Sequence, residues 1–195
     1  MLGWDHSRLN HCRIVAIAHG KSEKILLESI RSNLRVPMEI RSNKSGSVSI
    51  TIEVLEKYFR AEPFNSHMRL KKEYASLKMV SGKIHDLKIY PVMDKDNCDD
   101  ELFGTYKSGE MFGDSPFKDN IIPIYSVQSL DEILIASGYE IDVKNKRRSY
   151  EKMFPGETGD KEAFDKLISS IPRTLDTNIH TLLEHCLRES PLFRK

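Results

Sequence analysis

The chain has 195 residues, 39% of them hydrophobic and 30% charged, with 30 Lys and Arg against 29 Asp and Glu. That is enough apolar material for a core and excludes a disordered chain. A formal net charge of +1 excludes both a broadly basic nucleic-acid coat and an acidic solvating tail, so an anionic partner must be met by a local patch or a bound metal.

No apolar run approaches the roughly 20 residues that span a bilayer. The first residues, Met1-Leu2-Gly3-Trp4-Asp5-His6, lack the charged-then-apolar order of a signal peptide. Cys12, Cys98 and Cys186 form no CxxC and cannot all pair internally. These features predict a soluble cytoplasmic protein with reduced thiols and no membrane partner.

Residues 13–18, Arg-Ile-Val-Ala-Ile-Ala, predict a strand buried on both faces, as in a parallel sheet. The turn His19-Gly20-Lys21-Ser22-Glu23 follows, then Ile25, Leu26, Ile30 and Leu34 at helical spacing, which together open a βαβ unit. Val36 to Ile40 predicts a second strand, short or at an edge because it contains Pro37. Ser42 to Ser47 reads as a flexible loop. Ile52, Leu55 and Phe59, with Val48 a turn earlier, predict a helix, and Met68 to Met79 predicts another. Leu87 to Met93 is the third strand, with Pro91 arguing against a central position. Leu102 to Met111 is weakly helical, Ile121 to Ser126 is the fourth strand, and a short helix covers Leu130 to Ala136. The basic run 144–152 and the helical segments 161–171 and 177–189 complete the chain.

Alternating strands and helices predict an α/β fold, a small, mostly parallel sheet of about four strands flanked by helices, over residues 10–140. Residues 141–195 are expected as a helical extension packed on it.

In an open parallel sheet the carboxyl ends of the strands converge on one crevice. Asp94 and Asp96 follow the third strand, and two residues apart in extended chain they point the same way. Like charges that close repel unless one is protonated or a cation lies between them, and a hard divalent ion fits. Asp99, Asp100 and Glu101 add to the repulsion, whereas Asp-Lys-Asp-Asn also reads as an ordinary polar turn. At the first strand Gly20 is read as a sharp turn with positive φ and close ligand approach, and the helix start with Lys21 and Ser22 offers a phosphate site. The same residues also read as a plain capped helix start. The fourth strand brings Ser126, then Asp131 and Glu132.

Ala18-His19-Gly20-Lys21-Ser22-Glu23, followed much later by Met93-Asp94-Lys95-Asp96, resembles the topoisomerase–primase (TOPRIM) domain. In that family strand one ends in Glu-Gly, with a further acid three residues on, and a later strand ends in Asp-x-Asp. Ile124 to Leu134, where an acid follows a strand and begins a helix, is similar to a segment of RloB-like and OLD-type nucleases. The resemblance covers residues 12–137. It implies a TOPRIM-like, Rossmann-like fold and a metal-dependent nuclease acting on RNA or DNA, in a defence setting. It implies Mg²⁺ or Mn²⁺ held by Asp94 and Asp96, completed by Asp131 or Glu132. His19, Glu23 and Lys21 would be catalytic, and Gly20, Lys21 and Ser22 would contact phosphate.

His19 stands where the family has its first Glu. An imidazole can exchange a proton near neutral pH or ligate a transition metal, but it supplies no negative charge toward Mg²⁺. The alternative is therefore a nucleic-acid-binding or regulatory module that has lost catalysis, and a third is a phosphate-handling enzyme acting on small molecules. A homodimer or a partner protein is compatible with either of the first two.

Lys144, Lys146, Arg147, Arg148 and Lys152 form the densest basic run, read either as a phosphate contact or as a solvated helix face. Tyr150 and Phe154 beside it read as core or as base-stacking rings. His180 and His185, with Glu184 and Cys186, lack HExxH spacing and do not predict a zinc site.

Overall fold

A computed structural model describes residues 13–96, 98–153 and 159–193. Trp4, Cys12 and Phe154, and most of the loop expected at 155–159, lie outside the described residues. Strand β1 (Ile14–Ala18) is wholly buried, and helix α1 (Lys21–Leu34) follows it. Ile25, Leu26, Leu27, Ile30 and Leu34 form the buried stripe of α1, which ends at Arg35 in a left-handed conformation (φ 50°). Then come β2 (Met38–Arg41), α2 (Ile52–Arg60) and α3 (His67–Glu73). A small antiparallel hairpin, β3 (Met79–Val80) and β4 (Lys83–Ile84), precedes β5 (Lys88–Asp94). The remaining elements are α4 (Asp100–Ser108), β6 (Ile124–Ser126), α5 (Leu130–Ala136), α6 (Lys146–Met153), α7 (Lys161–Ser170) and α8 (Ile179–Glu189).

The main sheet has four parallel strands in the order β2-β1-β5-β6. Alternation along its two central strands divides the apolar interior into two clusters. Ile14, Ala16, Ala18, Tyr90 and Val92 face α1, α5, α6, α7 and α8. Val15, Ile17, Ile89 and Met93 face α2, α3, α4 and the hairpin. Tyr150, Phe164, Leu167, Leu182 and Leu183 belong to the first cluster, so the C-terminal helices share one core with the sheet. Among the described residues, no helix is long and apolar enough to cross a membrane.

Three local expectations are corrected. Pro91 lies in an interior strand, not at an edge. The β5–β6 register pairs Val92 with Ile124, and the next bridge is Ile89 with Ile121, so Pro91 falls opposite Pro123 in a gap of the ladder. Neither proline has an N–H to leave unpaired there. The buried Tyr106 hydroxyl lies 2.8 Å from the carbonyl oxygens of both Pro91 and Ile124 and donates between them.

The helix expected to Met79 stops at Glu73, because residues 79–84 turn back as the hairpin, with Ser81 and Gly82 at positive φ. Within Ser42–Ser47 the chain makes a short 3₁₀ turn (Lys44–Gly46) closed by an Asn43–Val48 bridge, and Val48 lies in that bridge rather than on α2.

The outer side of β6 is covered. Thr177 bridges Ser126, Asn178 Oδ1 accepts the Tyr125 N–H at 2.8 Å, and Asn178 Nδ2 donates to the Pro123 carbonyl at 2.9 Å.

Candidate metal centre

The chain leaves β1 toward β2 on one side, and β5 lies on the other side, so the order in which strands are added reverses between β1 and β5. Crevices form at the carboxyl edge of such a reversal. His19 directly follows β1 and Asp94 ends β5, and the backbone joins the two strands there through a His19 N–H bond to the Val92 carbonyl at 3.0 Å.

His19, Asp94 and Asp96 each offer one ligand atom, all within 4.8 Å of one another. Asp94 and Asp96 do not meet through extended-chain alternation as expected. β5 ends at Asp94, and Asp96 is turned back in a left-handed conformation (φ 42°), which Asp tolerates better than most residues.

His19 is buried and its ring is oriented. Nδ1 lies 2.9 Å from the Ile50 carbonyl oxygen, and because a carbonyl only accepts, Nδ1 carries the proton. In the neutral ring this leaves a lone pair on Nε2, the arrangement found when a histidine ligates a metal. Nε2 lies 2.8 Å from Asp96 Oδ2. Either a proton on Nε2 or a cation shared with the carboxylate reconciles that contact. The Ile50 N–H in turn donates to the His19 carbonyl at 2.8 Å, so Ile50 clamps residue 19 from both backbone groups. Nothing in the local sequence marked Ile50 as a support for the site.

Asp94 accepts a hydrogen bond from Ser126 Oγ at 2.9 Å. Burial pushes its carboxyl up to about 7, and the charge of Glu23 adds to the effect. Glu23 is buried beneath the β1–α1 turn, and its carboxyl is likewise raised by burial, against the pull of the backbone N–H groups at the helix start. Glu23, which is buried, and Asp94, which is half-buried, stand beside a half-exposed third carboxylate, and like charges that close repel.

The phosphate reading of the first turn needs correction. Glu23 Oε2 accepts the Gly20 N–H at 2.8 Å, so that donor is occupied. Gly20 is extended (φ −145°, ψ −153°), without the positive φ expected of it. The close approach occurs at Gly46 instead (φ +86°), where a Cβ would meet the Lys21 Cα at 3.2 Å and the Gly20 carbonyl oxygen at 3.3 Å. The 3₁₀ turn is thereby seated on the β1–α1 turn. Lys21 is exposed as the first residue of α1.

The other acids are engaged elsewhere. Glu132 closes a capping box with Ser129 at the start of α5, and those bonds hold its carboxyl below the usual range. Asp131 forms an ion pair with Lys146 and accepts the Tyr150 hydroxyl at 2.9 Å. Lys146 Nζ also donates to Ser22 Oγ at 3.0 Å, so one residue of the basic run reaches α1 from a distant part of the chain. Neither Asp131 nor Glu132 joins the three-residue cluster. Asp99 caps α4 by accepting the Leu102 N–H at 2.8 Å, and Asp100 and Glu101 lie in its first turn, where acids complement the helix dipole. Cys98 is buried, which raises its thiol, and it is outside the cluster.

Compared with known protein families, curated proteins and solved structures, the chain finds no match. The geometry of the site therefore carries the functional argument.

A divalent cation fits these residues chemically: one oriented imidazole nitrogen and two carboxylates, with the buried Glu23 adding negative charge beside Asp94. Among the described residues this is the one group of three or more such side chains placed to hold a metal ion.

Proposed function

We propose that the chain is a divalent-metal-dependent nuclease that cleaves phosphodiester bonds in RNA or DNA, in keeping with the TOPRIM-like pattern of its motifs. The observation that carries the reading is the convergence of His19, Asp94 and Asp96 at the reversal point of the sheet. A bound Mg²⁺ or Mn²⁺ supplies Lewis acidity toward the phosphoryl group and lowers the pKa of a water nucleophile. The imidazole ligand favours Mn²⁺ over Mg²⁺, which prefers oxygen and water.

In this reading His19 presents Nε2 to the cation and is kept in register by Ile50. Asp94 and Asp96 supply the negative charge that the family's usual first Glu would otherwise share. Glu23, raised by burial, stands beside Asp94 as the candidate to hold or release a proton. Lys21 is available at the rim for a non-bridging phosphate oxygen. Cys98 and Cys186 are unpaired, which suits a reducing compartment and a cytoplasmic location.

The direct test is incubation of the purified protein with single- and double-stranded RNA and DNA in EDTA, Mg²⁺ or Mn²⁺. Cleavage that requires the metal and is lost in Asp94→Ala is the expected result. The second reading, a nucleic-acid-binding module without catalysis, is favoured by the His19–Asp96 contact, which satisfies both groups without a metal. Binding of nucleic acid with no cleavage in any metal would select it. A homodimer or partner protein is compatible with both readings, and sedimentation of the pure chain tests it.

A further inference from the structure

A cleft of about 580 Å³ adjoins the cluster, lined by Ser42, Asn43, Ser49, Ile50, Lys57 and Tyr58 among others. Its size is that of a small-ligand site. The segment 49–50 is a wall common to both places. Ile50 lines the cleft and holds both His19 Nδ1 and the His19 carbonyl. Ser49 Oγ is 3.7 Å from where a Cβ on Gly20 would lie.

The lining combines one aromatic ring, a primary amide, hydroxyls and a cation. Tyr58 is half-buried and backed by Phe59 and Phe64, with ring centroids at 6.0 and 5.6 Å, so its ring is held before any ligand arrives. Asn43 precedes the 3₁₀ turn without capping it through its side chain, and its exposed amide makes no hydrogen bond among the described residues. Lys57 is exposed beside Tyr58. A preformed aromatic face with an amide and hydroxyls around it is the chemistry that recognises an unstacked nucleobase.

We propose that this cleft receives one unpaired base of a single-stranded nucleic acid, stacked on Tyr58 and read at its edge by Asn43 and Ser42. Lys57 meets the adjacent backbone, and the neighbouring phosphodiester extends to the His19–Asp94–Asp96 cluster. The inference rests on the nuclease reading for its orientation. A base inside a duplex cannot enter without unpairing, so single strands are preferred.

Fluorescence anisotropy with end-labelled RNA and DNA oligonucleotides, single-stranded and duplex, tests it in Mn²⁺ on the full chain. Single strands are expected to bind more tightly than the duplex, and the RNA and DNA arms distinguish the sugar. Tyr58→Ala should weaken single-strand binding by about 10- to 100-fold while Tyr58→Phe retains it. Asn43→Ala, a surface change that leaves the fold intact, should alter the order of preference among the four homopolymers. Lys57→Ala should weaken all of them alike and lower the salt slope by about one.

Duplex bound as tightly as single strands, or Tyr58→Ala and Asn43→Ala binding every oligonucleotide as the parent does, overturns the inference. Single-strand binding that depends on Tyr58 without any Mn²⁺-dependent cleavage supports the cleft and refutes the nuclease reading. Cleavage with binding indifferent to both substitutions does the reverse.

Discussion

Asp94→Asn tests the electrostatic account of the centre most directly. Holding a carboxyl at about 7 rather than 3.8 disfavours its ionised form by roughly 4 kcal/mol. Between those two values the folded chain binds more protons at this position than the unfolded chain does. The metal-free protein should therefore lose stability as pH rises through that window and level off above it. Asn cannot ionise, and its oxygen can still accept the Ser126 hydroxyl. Its amide N–H₂ must find a partner among acids, so about half of the 4 kcal/mol is the expected net gain at pH 8, roughly 2 kcal/mol. At pH 5 the two proteins should differ little.

Urea unfolding from pH 5 to 8 in EDTA measures this, and repeating it in Mn²⁺ adds the second half of the test. A cation present at a hundred times its Kd stabilises by about 2.7 kcal/mol. The parent should recover that amount and Asp94→Asn should recover little of it. Proton competition should also make the parent's Mn²⁺ affinity rise with pH up to about 7. Identical pH profiles for the two proteins, or equal stabilisation of both by Mn²⁺, would refute the reasoning.

Gly46→Ala should cost about 2 kcal/mol or more, because it combines a positive φ with a Cβ pressed on the Lys21 backbone, whereas Gly82→Ala, with positive φ but open space, should cost only about 1 kcal/mol; chemical denaturation ranks them. Tyr106→Phe removes the hydroxyl shared by two buried carbonyls and should destabilise by about 1–2 kcal/mol, with faster amide exchange in β5 and β6 as its local signature. Lys146→Met leaves the partly buried Asp131 with only hydroxyl donors, Tyr150 and Ser22, and should cost about 1–3 kcal/mol in the same urea assay.

The layered α/β architecture was legible because burial writes itself into composition. β1 carries an uninterrupted apolar run only because helices cover both of its faces, and α1 and α2 carry their stripes at helical spacing. The meeting of the 19–23 turn with Asp94 and Asp96 was legible too, since a parallel sheet brings strand ends to one edge.

What the sequence hid depends on long-range partners. Pro91 argues for an edge by local rules, and only Pro123 opposite it, with Tyr106 between, makes an interior place acceptable. Asp131 and Glu132 look alike on paper, yet Lys146 from a remote helix takes one and a Ser129 box takes the other. Gly20 invites a phosphate reading until Glu23 is seen to fill its N–H. The turn at 44–46 looks loose in composition and is tight because Gly46 lies against Gly20 and Lys21.

The seal that residues 176–178 place over β6 has a consequence for any shortened version of the chain. Ser126, which steadies Asp94, belongs to a three-residue strand whose outer flank is tied down by Thr177 and Asn178. Cutting at residue 140 would unzip that flank and present an unguarded ladder to neighbouring molecules. Such a fragment would self-associate and let its acidic centre slacken, even though every residue of the metal cluster is still in it.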